Sequence, residues 1–290
     1  MGFEKRLFSG DFVILAEMNT PKGVDTSQFL LNARRIKGRV DAVIVPDMDN
    51  GIMRMSALAG GVLMQQQGVE AIIHLYCRDR NRMALQGDIL AAHALGIQNL
   101  MVVSCENILN GDHRDALPVN DLDELGLLDA IRLLEKGKDL GGSDLSGAPA
   151  FTVGCTITQR GDGKSLDCAL ELTKRKVEAG AKFIVTPPVF DVSRFAPLMD
   201  RAKGLGVPII STVLLLKSVG SARYFATNEP EAGLSEELIS RIRRAGDREM
   251  ECIRIAGETI AALKKLCQGV RILSLGWEHR LPSVLDCAGL

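Results

Sequence analysis

Eight short apolar runs recur along the chain, at residues 12–17, 41–46, 70–75, 99–104, 150–155, 182–187, 208–215 and 270–275, and they restrict the possible folds most. Runs this short and rich in Val and Ile read as strands buried on both faces. Between them lie segments with helical periodicity, clearest at 25–36, 53–67, 122–135, 166–179 and 192–203, and a closing helix starts at Leu281. Strands that alternate with helices need crossover connections, which make the sheet parallel. Eight such units in 290 residues predict an α/β chain folded as a single (β/α)8 TIM barrel domain over 1–290, a fold that typically takes ~250 residues. Gly68, Gly96, Gly180, Gly206 and Gly269 each fall between a predicted helix and the next strand, where a left-handed residue ends a helix. Between Tyr224 and Gln268 two helices, 235–245 and 247–267, replace the usual one, so extra helices are expected near the C-terminus.

Composition narrows the function classes. Thirty-five basic and 36 acidic residues give a net charge of −1, so no global field points to nucleic acid or an anionic membrane. No run approaches the ~20 apolar residues of a membrane span, and MGFEKRLFSGDF lacks a signal-peptide core. A cytoplasmic protein is expected. The seven cysteines form no CxxC pair and the four histidines no HExxH or HxH pattern, so no metal site is expected. Cys77, Cys105 and Cys155 stand at strand ends, where a nucleophilic or redox role competes with that of a small buried hydrophobe.

In a barrel the carboxyl ends of all strands converge on one rim, where ligands bind. The strand ends read Glu17, Pro46-Asp47, Tyr76 to Asp79, Ser104 to Glu106, Thr156 to Gln159, Thr186 to Pro188, Leu216-Lys217 and Gly276 to Glu278. Glu17 ends an apolar run, where burial would favour a neutral carboxyl suited to general acid chemistry, or where an Arg or Lys would pair with it. Lys217 suits either a Schiff base or a phosphate contact. Lys174, Arg175 and Lys176 form a basic run on a helix, and one of the three must face inward. The stretch 70–96 joins a strand to a helix through Arg78, Asp79, Arg80 and Asn81, as either a helix cap with surface charge or a ligand loop.

Several of these segments together resemble the methylenetetrahydrofolate reductase family, in its short form without a regulatory domain. The similarity runs through Ala16-Glu17-Met18 with Pro21, Met53 to Ser56, His74 to Arg82, Lys174 to Phe183, and Leu216 to Ser218 with Ala222. The His74-Leu75-Tyr76-Cys77-Arg78-Asp79-Arg80-Asn81 run is the most specific part. The resemblance implies a barrel carrying a flavin, FAD or FMN, that reduces 5,10-methylenetetrahydrofolate to 5-methyltetrahydrofolate. It implies catalytic roles for Glu17, as the acid near N10, and for Glu106, where the family has an aspartate facing pterin and flavin. It further implies flavin contacts at His74, Tyr76, Arg78, Asp79, Ser104, Cys155 and Gln159, with Lys176 at the flavin phosphates. Folate contacts are implied at Asp47, Thr186, Pro187 and Lys217. A homo-oligomer and an electron-donating partner subunit fit the same picture.

The sequence also departs from the family pattern. Pro46 and Tyr76 replace threonines, Pro187 replaces a glutamine, Cys155 and Gln159 replace an aromatic residue and a histidine, and Ser104 replaces an arginine. These changes leave open a flavin-less paralogue that binds a folate or pterin as a methyltransferase component or partner subunit. A lyase acting through a Lys217 Schiff base is a third expectation, of a different class.

Overall fold

Val- and Ile-rich segments pair in the computed structural model, which describes residues 2–104, 107–157 and 166–290. In chain order the elements are α1 (Phe3–Ser9), β1 (Val13–Glu17), α2 (Ser27–Ile36), β2 (Ala42–Val45), α3 (Ala57–Gln66), β3 (Ala71–Leu75), α4 (Arg82–Ala94) and β4 (Asn99–Val102). They continue with α5 (Glu124–Glu135), β5 (Thr152–Thr156), α6 (Leu166–Glu178), β6 (Phe183–Pro188), α7 (Val192–Ala202), β7 (Ile209–Leu214), α8 (Val219–Asn228), α9 (Glu236–Arg244), α10 (Arg248–Leu263), β8 (Gly269–Leu273) and α11 (Leu281–Cys287). The eight strands close in sequence order into one parallel barrel, with β1 pairing both β2 and β8. The (β/α)8 expectation is thereby met. Among the described residues no helix is long and apolar enough to cross a membrane.

The two helices expected between Tyr224 and Gln268 are α9 and α10, and α8 precedes them, started by a reciprocal capping box of Ser218 and Ser221. One detail differs from the periodicity. Gly269 does not end a helix. It opens β8 between Val13 and Ile210, where a β-carbon would lie 2.5 Å from the Val13 carbonyl oxygen. Close backbone approach, not a left-handed turn, is what suits glycine there. Gly68, Gly96, Gly180 and Gly206 do adopt positive φ, as expected.

Alternation along the strands sends one set of side chains inward and the other under the helices. Val13, Leu15, Ala42, Ile44, Ile72, Met101, Phe183, Val185 and Ile210 form the inner cluster, together with Phe3 and Leu7 of α1. Helix α1 therefore closes the end of the barrel where the strands begin. The Phe3 and Phe183 rings meet edge to face at 5.5 Å. Gly154 leaves room for the Phe183 ring, which would stand 2.3 Å from a β-carbon there. At the opposite end the same alternation turns polar side chains inward, and these build the site.

Candidate functional site

Glu17 ends β1 two residues beyond Leu15, so it points into the barrel mouth. One layer deeper, Arg271 of β8 lies level with Leu15 and Thr212. Its Nη1 stands 3.3 Å from Glu17 Oε2, and its Nε donates to Thr212 Oγ1 at 3.0 Å. Burial pushes the Glu17 carboxyl up to about 7; Arg271 opposes that rise, and Asp49 adds to it. Burial and pairing with an arginine therefore meet at one carboxyl, which is paired and still holds its proton toward neutrality.

Across the mouth, β3 supplies His74 and, just beyond its end, Tyr76. The Tyr76 hydroxyl donates to Asp49 Oδ1 at 3.4 Å and lies 3.1 Å from His74 Nδ1. With the Tyr76 proton directed at Asp49, His74 Nδ1 is the donor and Nε2 carries a lone pair. That Nε2 is buried without a hydrogen-bond partner among the described residues. Burial, with the Arg271 charge adding to it, pushes His74 down to about 3 and keeps the ring neutral. Tyr76 is raised well above its ordinary value by burial and then by Asp49. A cleft of about 380 Å³ lies between α2 and the segments that follow β1 and β8, lined by Met18, Asn19, Phe29, Arg54, Gly276 and Glu278, and none of Glu17, His74, Tyr76, Asp49 or Arg271 is in its lining. A protonated carboxyl beside a neutral imidazole acceptor can deliver a proton and orient a polar ring edge.

The Arg78 to Asn81 run does two jobs. Asn81 caps α4 by accepting the Ala84 N–H at 3.0 Å, which realises the cap reading. Arg78, 3% exposed, forks onto Asp79 at 2.7 and 2.8 Å and donates to the Met48 carbonyl at 2.9 Å. Arg80 bridges Asp47 and Asp88, while Asp47 also accepts the Ala57 N–H at 2.9 Å. These residues fasten the loop after β2 to the loop after β3. Arg78 and Asp79 also line a second cleft of about 260 Å³, with Met48, Met53, His113 and Leu117.

The remaining expected residues lie elsewhere on the rim. Lys176 is the inward member of its basic run, fully buried, paired with Glu124 and donating to the Thr156 carbonyl at 3.0 Å. The Ser104 hydroxyl donates to the same Glu124 carboxylate. Cys155 packs with the outward-facing core under the helices, away from Glu17, and burial pushes its thiol up to about 12. That environment disfavours a thiolate. Thr186 is buried and joined to Thr212, whose hydroxyl donates to the Thr186 carbonyl at 2.5 Å. Pro187 lines a separate cleft of about 200 Å³ with Pro188, Phe195 and Leu198. The Lys217 Nζ approaches Gly276, 3.5 Å from where a β-carbon would sit. Glu106, Gln159 and Cys105 lie outside the described residues.

Three residues of the inner group were not anticipated: Arg271, Thr212 and Asp49. Arg271 had a signal, a lone charge inside an apolar run at the same parity as the strand's inward positions. Thr212 and Asp49 had none beyond their places in or after a strand.

Comparison with known proteins decides the family. The sequence model of the family described as methylenetetrahydrofolate reductase matches residues 2–286. The chain belongs to the methylenetetrahydrofolate reductase family. Among curated relatives of this family, methylenetetrahydrofolate reductase 2 of Schizosaccharomyces pombe is 22% identical over 79% of this chain and 37% of its own length. A probable methylenetetrahydrofolate reductase (NADPH) of Caenorhabditis elegans is 23% identical over 55% of this chain and 22% of its own. The matches thus cover well under half of those relatives. A solved structure of an uncharacterized protein from Clostridium thermocellum, one that binds two copies of 5-methyl-5,6,7,8-tetrahydrofolic acid, superposes with a TM-score of 0.61. It covers 98% of this chain and 97% of that one at 12% identity, a likeness of fold alone.

Proposed function

We propose that this member of the methylenetetrahydrofolate reductase family reduces 5,10-methylenetetrahydrofolate to 5-methyltetrahydrofolate with a bound flavin. The observation that carries the reading is Glu17, an acid held at the barrel mouth with its carboxyl raised to about 7. Such a group can deliver a proton to N10 of the bridged folate. The N10–methylene bond then breaks, its electron pair going to N10, and the 5-iminium carbon takes a hydride to become the methyl group. Proton and hydride together account for the two electrons and both hydrogens gained.

The residues present fit the ring of a flavin. His74 Nε2, buried and lacking a partner among the described residues, offers an acceptor for the ring's imide N–H. A reduced flavin supplies the hydride when bound. His74 would orient the ring edge, Tyr76 and Asp49 would fix the His74 tautomer, and Glu17 would hold the proton until folate arrives. The mouth's apolar lower walls, Leu15, Ile44 and Ile72, would exclude water from the reacting carbon. Glu106, Asp47 and Lys217 complete the proposed rim contacts to folate and flavin.

A second reading, a flavin-less folate-binding paralogue, is favoured by two observations. Lys176, the family's phosphate lysine, is paired with Glu124, and Pro46 offers no N–H at the end of β2. Anaerobic reconstitution separates the two. Purified protein mixed with FAD or FMN is expected to retain flavin absorbance through gel filtration and to form methyltetrahydrofolate from methylenetetrahydrofolate and an artificial donor. A colourless protein that still binds tetrahydrofolate by calorimetry would establish the paralogue instead.

A further inference from the structure

Among the described residues, Arg271 places the one guanidinium that faces Glu17 inside the barrel, and the reaction as drawn above makes no use of it. Its side chain is 12% exposed. It is anchored from two strands: Thr212 of β7 accepts from Nε, and Thr212 is tied in turn to Thr186 of β6 through its hydroxyl and its N–H. The guanidinium therefore meets the carboxyl from below, on the side away from the mouth. It touches Oε2, which leaves Oε1 to carry the proton toward a ligand above. The other titratable groups that face Glu17 are Asp49 after β2 and Tyr76 after β3, with His74 beside Tyr76 and Asp47 acting on Tyr76. None of these is a cation.

Two opposing effects meet at this carboxyl. Burial holds the proton on, and a fixed cation stabilises the carboxylate that remains after the proton leaves. Without the cation, ionised Glu17 would be a buried, uncompensated charge. We propose that Arg271 is a positioning residue for the proton-delivering step, fixing the orientation of the Glu17 carboxyl from beneath and setting how readily it releases its proton, with Thr212 holding the guanidinium in place. The chemical step rests on the reductase reading, whereas control of the Glu17 proton can be measured without turnover.

The full chain carrying Arg271→Met or Arg271→Lys is titrated by infrared difference spectroscopy, the Glu17 carboxyl band being identified by its loss in Glu17→Gln, and pH profiles of turnover are recorded in parallel. Arg271→Met is expected to raise the carboxyl midpoint by about one pH unit or more, a tenfold weaker acid, and to move the alkaline limb of the turnover profile upward with it. Arg271→Lys, which keeps the charge and loses the fork, is expected to shift both in the same direction by less. A midpoint unchanged in Arg271→Met overturns the inference. If that variant does not fold, an unchanged midpoint in Arg271→Lys overturns it equally. A wild-type chain without turnover at any pH, but with a midpoint that moves in Arg271→Met, would reject the reductase reading and leave this inference standing.

Discussion

Glu17 shows what a single residue gives up in stability for the acid role proposed for it. Its carboxyl titrates at its ordinary 4.5 in the unfolded chain and at about 7 in the folded one. The folded state therefore binds the proton more tightly. Below pH 4.5 both states are protonated and folding loses nothing; as pH rises from 4.5 through 7 the native state is progressively penalised, and above that the penalty is constant. A shift of this size is worth on the order of 3 kcal/mol. Glu17→Gln imitates the neutral acid, so it is expected to be more stable than wild type at pH 8 by on the order of 2 to 3 kcal/mol. The gap should vanish near pH 4, as read from urea midpoints at both pH values. His74 acts in the opposite window: a ring pushed down to about 3 resists protonation, so its contribution is lost as pH falls from 6.5 toward 3. Glu17 was legible in the sequence because a carboxylate ending an apolar run is costly and therefore conspicuous. Arg271 is less legible, because it sits mid-strand, one layer below the strand ends where ligands bind.

At the scale of elements, the Arg78 to Asn81 run works mainly through the loops it joins. Asn81→Ala is expected to cost about 1 kcal/mol by freeing the Ala84 N–H at the start of α4, read as a lower urea midpoint. The loop after β2 and the loop after β4 also meet directly. The Asp112 N–H donates to the Gly51 carbonyl at 3.3 Å, and a β-carbon on Gly111 would stand 1.9 Å from that oxygen. Gly111→Ala should therefore pry the loops apart and make residues 107–121 more sensitive to limited proteolysis, whereas Gly204→Ala, where a β-carbon meets nothing and the backbone is not left-handed, should not. The helix starts could be read from cap residues, and an inward lysine among Lys174, Arg175 and Lys176 could be read from periodicity. Its partner Glu124 could not, because the pair joins two helices whose packing only the closed barrel fixes.

For the whole molecule, the repeated strand-and-helix order was strong enough to specify the closed barrel before any contact was known. Helix α1 escaped notice because seven residues give too little periodicity to distinguish a helix from a loop. Yet it closes one end of the barrel, with Phe3 and Leu7 almost fully buried among the inner side chains. Phe3→Ala is expected to cost about 3 to 5 kcal/mol through the cavity it leaves against Phe183, seen as a lower Tm. The folate affinity proposed for the far end should be unchanged in the protein that remains folded. Closure below also makes the barrel a blind well. With apolar side chains packed beneath Arg271, no chain of hydrogen bonds among the described residues leads a proton from the floor to Glu17, so exchange with solvent runs through the mouth. Under the proposed function, a ligand seated across that mouth would strand on Glu17 whatever proton it held when last exposed, so the order in which ligands arrive would fix whether a turnover begins with the acid armed.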